Sequence, residues 1–236
     1  MGNSASCTLS STDLGKYESS SVFSEEEIKC LWVHFQSISD GEDKISRNGF
    51  QKVLLFRDTT LVDRIFRVFD KDEDMMISFE EFIHCLSQIS SKANPVEKLK
   101  LSFDIYDFDG DNMISTSDLT TALASTLREN DLIIEREQID EIVSLTMDEV
   151  SPDIPGMISP DEYEVLVAQR PQMLSRLSLN ISGIIKEYTA HHWLHLVMII
   201  VECDFNVRYV INVCYIEIIV IHPTDIYSSI YRYYYH

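Results

Sequence analysis

Two short acidic runs constrain this chain more than anything else in it. Asp70-Lys71-Asp72-Glu73-Asp74 and Asp107-Phe108-Asp109-Gly110-Asp111 begin 37 residues apart. Each is followed by an isoleucine at the eighth place, Ile77 or Ile114, and by an acid at the twelfth, Glu81 or Asp118. Carboxylates at alternate positions of a short loop repel one another unless a cation lies among them. A single run of this kind is common in solvated loops. Two in the same register, each between apolar helical stretches, describe a built cage of oxygens.

The flanks support that reading. Leu61, Ile65, Phe66 and Phe69 line one face of an incoming helix, and Phe82, Ile83 and Leu86 line an outgoing one. The same pattern of amphipathic helix, polar loop, central isoleucine and second helix occurs four times, centred on Ile45, Ile77, Ile114 and Ile158. Ser24 with Glu27 forms a capping box ahead of Ile28, Leu31, Trp32 and Phe35, which opens the first unit. The polar joint Ser90-Ser91-Lys92-Ala93-Asn94-Pro95 divides the units into two pairs, residues 23–90 and 91–170. The expected fold is all-α: four EF-hand helix-loop-helix units in two paired lobes, short β-bridges between paired loops, and an extra apolar helix over residues 171–190.

An EF-hand loop places oxygen ligands at positions 1, 3, 5, 7, 9 and 12, because calcium takes about six to eight hard oxygens and the last residue closes the cage. In the second unit these are Asp70, Asp72, Asp74, the Met76 carbonyl, Ser78 and Glu81. Met75 stands at position 6, where glycine usually takes positive φ, at a cost of about 1–2 kcal/mol. In the third unit the ligands are Asp107, Asp109, Asp111, the Met113 carbonyl, Ser115 and Asp118, with Asn112 at position 6. Asp118 is one methylene shorter than glutamate, which favours single-oxygen contact and hence magnesium or weaker calcium binding. The outer units lack the set. The first offers Ile38 and Gly49 at positions 1 and 12, with only Asp40 and Glu42 as side-chain carboxylates. The fourth keeps Asp153, Gly156 and Glu162 but has Ser151 and Pro155 at positions 1 and 5. Both are expected to serve as partners that support the metal-binding units.

The formal charge of −20, from 39 acids against 19 Lys and Arg, repels nucleic-acid phosphate and draws cations, although solubilising acidity gives the same total. Five scattered cysteines without a CxxC pair or a secretory signal fit a reducing compartment. Residues 1–22 are Ser-rich and read as a flexible arm. Its start, Met1-Gly2-Asn3-Ser4-Ala5-Ser6, matches N-myristoylation of Gly2. One such chain binds membranes marginally, so Cys7 is the candidate for a second, palmitoyl anchor. Residues 191–236 turn hydrophobic and Tyr-rich, but Glu202, Asp204, Arg208 and Glu217 interrupt any span of the roughly 18 apolar residues a membrane helix needs. His191 and His195 have no acid or cysteine at supporting spacing, and no zinc is assigned to them.

Over residues 24–188 the chain resembles the calcineurin B-like and neuronal-calcium-sensor superfamily. Four stretches carry the resemblance: DRIFRVFD from Asp63, PVEKLKLSFDIYDFDGDNMIS from Pro95, TLRENDLIIEREQIDEIV from Thr126, and PQMLSRLSL from Pro171. The Arg128 to Ile134 insertion looks especially like calcineurin B-like sensors. The resemblance implies a cytoplasmic calcium sensor without catalysis of its own, held on membranes by myristate, that regulates a kinase or phosphatase by gripping an amphipathic helix. Residues 171–188 are similar to the family's terminal helix near that groove. The degenerate outer hands and the tail after residue 190 depart from the pattern.

Two other functions fit the same residues. One is the EF-hand module of a calcium-activated enzyme such as an NADPH oxidase; the other is a passive calcium buffer. No phosphate-binding Gly loop, HExxH or GxSxG suggests an autonomous catalyst.

Overall fold

The computed structural model describes residues 9–54, 58–129 and 132–170. Nine helices and four short strands occur among them. The first hand is α2 (Glu25–Ile38), β1 (Lys44–Ser46) and α3 (Arg47–Leu54), preceded by α1 (Ser11–Ser20). The second is α4 (Thr59–Phe69), β2 (Met76–Ser78) and α5 (Phe79–Ile89). The third is α6 (Pro95–Tyr106), β3 (Ile114–Ser115) and α7 (Thr116–Glu129), and the fourth α8 (Arg136–Val150), β4 (Met157–Ile158) and α9 (Pro160–Gln169).

Local chemistry sets the helix boundaries. Ser24 and Glu27 form the expected capping box, and Ser78 with Glu81 and Ser159 with Glu162 repeat it at α5 and α9. In each case a side-chain oxygen satisfies an amide that the first turn cannot. Asn94 caps α6, whose first residue is Pro95, where the missing N–H costs nothing.

The four central isoleucines pair the hands. β1 runs antiparallel to β2 with Ile45 opposite Ile77, and β3 antiparallel to β4 with Ile114 opposite Ile158. All four side chains are at most 1% exposed. Above them the helices close a core in which Phe35 meets Phe79 and Phe82, Phe50 meets Phe66, and Phe103 meets Tyr163 edge-on at 5.5 Å. The two pairs touch through α4 and α5 against α6, and α4 against α7.

The N-terminal arm departs from the sequence reading in its described part. Instead of a flexible segment, residues 11–20 form a helix that packs on α2 and α5, with Leu14 buried and the Tyr17 ring edge-on to Phe79 at 5.1 Å. Leu14 and Tyr17 lie three apart, on one face, and two apolar residues anchor a short helix when a ready surface accepts them. No extended apolar period announced this. Gly2 and Cys7, the 171–190 helix and the 191–236 tail lie outside the described residues. Among the described residues, no helix is long and apolar enough to cross a membrane.

Candidate metal centres

In the second hand, α4 ends on Asp70, whose backbone N–H closes the helix on the Phe66 carbonyl. The loop then folds around the Asp70 side chain. Oδ1 accepts from the Asp74 amide at 3.1 Å and Oδ2 from the Met75 amide at 2.9 Å. Asp72 accepts from the Asp74 amide at 3.2 Å, and Asp74 from the Met76 amide at 2.9 Å. These bonds turn the carboxylates inward, and one oxygen each of Asp70, Asp72 and Asp74 lies within 4.8 Å of the others. Met75 has φ +67°, the left-handed value expected of position 6, with its side chain 65% exposed.

Glu81, the third residue of α5, spans the loop without joining that cluster. Its Oε1 accepts from the Lys71 amide at 2.8 Å and the Asp72 amide at 3.3 Å, and its Oε2 from the Ser78 amide at 2.8 Å and hydroxyl at 2.7 Å. One carboxylate thereby ties the start of the loop to the start of α5.

The third hand repeats the frame with a different closure. Asp107 accepts from the Gly110 amide at 2.8 Å and the Asn112 amide at 3.0 Å, and Asn112 has φ +66°. Asp118 accepts from the Phe108 amide at 3.2 Å and from the Ser115 amide and hydroxyl at 2.8 and 2.6 Å. One of its oxygens lies within the oxygen cluster, which here comprises Asp107, Asp109 and Asp118. Asp111 accepts from the Met113 amide at 2.8 Å and falls outside it. Met76 opens β2, and Met113 immediately precedes β3.

The electrostatics fit a divalent cation in both loops. Burial pushes the Asp70 and Asp107 carboxyls above the usual carboxylate range, because loss of water disfavours the charged form, and the neighbouring acids Glu81 and Asp118 add to the shift. At Glu81 burial pushes the same way, but hydrogen bonds from Ser78, Lys71 and Asp72 outweigh it and hold the group below the ordinary value. Hard carboxylate oxygens without sulfur or nitrogen suit calcium or magnesium rather than zinc.

The outer loops have the deficiencies read from their sequences, and the structure adds the reasons. Gly49, at position 12 of the first hand, packs so closely that a Cβ would lie 3.0 Å from the Ile38 carbonyl, at position 1. Backbone contact occupies the place of a closing acid. In the fourth hand Ser151 caps α8 with φ +51°, whereas Asp70 and Asp107 enter their loops at φ −73° and −74°. Glu162 still bonds the Asp153 amide at 2.6 Å, so the loop keeps its tie without its ligands. Among the described residues, groups of three or more acids gather only in the second and third hands.

One residue near the site carries no motif signal. Lys44, at position 7 of the first hand, pairs with Asp74 and lies 3.9 Å from Asp72. Only the strand register, which sets Lys44 opposite Ser78, brings it there.

Comparison with known proteins agrees with this geometry. The EF hand domain family matches residues 61–89, the second hand. The type 1 calcineurin B protein of Dictyostelium discoideum is 32% identical over 181 residues, covering 76% of this chain and 98% of that relative. The calcineurin B protein of Schizosaccharomyces pombe is 36% identical over 151 residues, with 64% and 85% covered. Calcineurin B-like protein 5 of Arabidopsis thaliana is 27% identical over 173 residues, with 71% and 85% covered. Paired EF-hands, two intact acid loops and relatives matched along nearly their whole length lead to one conclusion: the chain belongs to the calcineurin B-like family of EF-hand calcium sensors, a calcium-binding regulator and not an enzyme.

Proposed function

We propose that the chain takes up calcium at two loops, one formed by Asp70, Asp72, Asp74, Met76, Ser78 and Glu81, the other by Asp107, Asp109, Asp111, Met113, Ser115 and Asp118, and thereby grips an amphipathic helix of a protein kinase or phosphatase. The observation that carries this reading is the placement of both closing acids at the first turn of an outgoing helix, Glu81 in α5 and Asp118 in α7. An ion in the cage supplies positive charge at the oxygens. Glu81 and Asp118 then have a competing attraction to their bonds with loop amides, and any movement of either carboxylate is transmitted to its helix. That coupling separates a sensor from a buffer. The relatives named as parts of calcineurin support a protein partner.

The Asp118 closure favours magnesium or weaker calcium uptake at the third hand. Myristate on Gly2, with a second anchor on Cys7, holds the chain peripherally on cytoplasmic membranes; the sequence pattern at residues 1–6 supports this part of the reading. Calorimetry on the full chain, run beside an apolar dye, tests the sensor reading. Two calcium sites with a rise in dye fluorescence are expected; uptake without new apolar surface means a buffer, and no uptake removes the site assignment. Capture of a kinase or phosphatase catalytic chain only when calcium is present tests the partner class. Intact mass after co-expression with a myristoyltransferase, compared with Gly2→Ala, tests the lipid.

A further inference from the structure

The two lobes are built alike, and β1 and β4 offer equivalent positions to the neighbouring metal loop. Residue 44 faces Ser78, at position 9 of the second hand; residue 157 faces Ser115, at position 9 of the third. The second hand receives a lysine and the third a methionine. The Lys44 ammonium reaches across the strand pair to Asp74 and stands 3.9 Å from Asp72, two of the three acids whose oxygens form the second-hand cluster. It is only 34% exposed, against 61% for Asp72.

We propose that Lys44 is a tethered competitor of the metal ion at the second hand: its ammonium pairs with Asp74, beside Asp72, and must give up that place for calcium to be held. This rests on the calcium assignment of the Asp70 loop. Offsetting one negative charge of the cluster stabilises the loop without an ion, and the displaced ammonium, still anchored at β1, repels a divalent ion nearby. Both effects lower affinity and raise the calcium concentration at which the hand fills. The third hand, facing Met157, has no such cation from its partner strand. The degenerate first hand thus acts on its neighbour's set point as well as supporting its fold.

For a partly exposed ion pair beside a divalent ion the expected effect is about 3- to 10-fold in affinity. The test uses the full chain in two backgrounds, Asp107→Asn with Asp118→Asn to leave the second hand alone, and Asp70→Asn with Glu81→Gln to leave the third. In the first background, calorimetry should find calcium bound about 3- to 10-fold more tightly with Lys44→Met or Lys44→Gln, and unchanged with Lys44→Arg. In the second, Met157→Lys should weaken calcium binding by a similar factor. Lys44→Met and Lys44→Gln binding no more tightly than the parent overturns the inference while the calcium assignment stands. Equal tightening by Lys44→Arg also overturns it, since the gain then comes from strand packing and not from charge. No uptake in the first background, whether Lys44 is kept or replaced, in chains that remain folded by circular dichroism, overturns the calcium assignment itself.

Discussion

The second and third hands share a frame and differ in how they close it. Both run from an Asp at a helix end, through a left-handed residue at position 6, to an acid in the first turn of the next helix. In the second, the long Glu81 side chain lies back on amides at both ends of the loop, and the cluster consists of Asp70, Asp72 and Asp74. In the third, the shorter Asp118 sits among the oxygens with Asp107 and Asp109, and Asp111 is left out. Both closing acids tie the second residue of their loop to the ninth, Glu81 through Lys71 and Ser78 and Asp118 through Phe108 and Ser115, but only the shorter one also has an oxygen within its cluster.

Removing the strand partner of one loop tests how far the lobes act separately. Ile45→Ala is expected to destabilise the fold by about 3–4 kcal/mol in urea unfolding, since Ile45 is fully buried against Ile77. It should weaken calcium binding at the second hand and leave the third unchanged; equal weakening of both would mean that the hands form one unit.

Next in size is Glu81→Gln, which removes the negative charge at position 12. An affinity loss of about 100-fold at the second hand, read by calorimetry, is expected. A loss under about threefold would show that Asp70, Asp72 and Asp74 hold the ion without it.

Asp118→Glu sharpens the contrast from the other side. The longer acid should raise calcium affinity at the third hand about 10-fold and lower the preference for magnesium. No change in that preference would detach ion choice from side-chain length.

The smallest effect belongs to Met75. Its φ of +67° is strained for a side chain with a Cβ, and Met75→Gly should stabilise the fold by about 0.5–1 kcal/mol, after the greater freedom of glycine in the unfolded chain is set against the relief. Thermal or urea unfolding reads the change. Asn112→Gly at the equivalent place should gain less, because asparagine tolerates that region.

The acidic loops at Asp70 and Asp107, the capping box at Ser24, the isoleucine pairs and the poverty of the outer loops in acids were all legible in the sequence. Each depends on contacts within about a dozen residues, where backbone geometry converts spacing directly into position. The α1 helix escaped because Leu14 and Tyr17 take their meaning from a surface on α2 and α5 made by residues far along the chain. The close approach of Gly49 to Ile38 escaped because a missing ligand does not tell how the space is filled.

The sequence by itself therefore determined which two loops gather acids and that four helix-loop-helix units pair. Tertiary structure decided how each loop is poised: Lys44 against Asp74 through the β1–β2 register, and Glu81 outside its cluster while Asp118 lies inside. The reason is physical. Ligand spacing is a property of one short segment, whereas the balance of charge at a loop sums every group that packing brings within a few ångströms, whatever its distance along the chain.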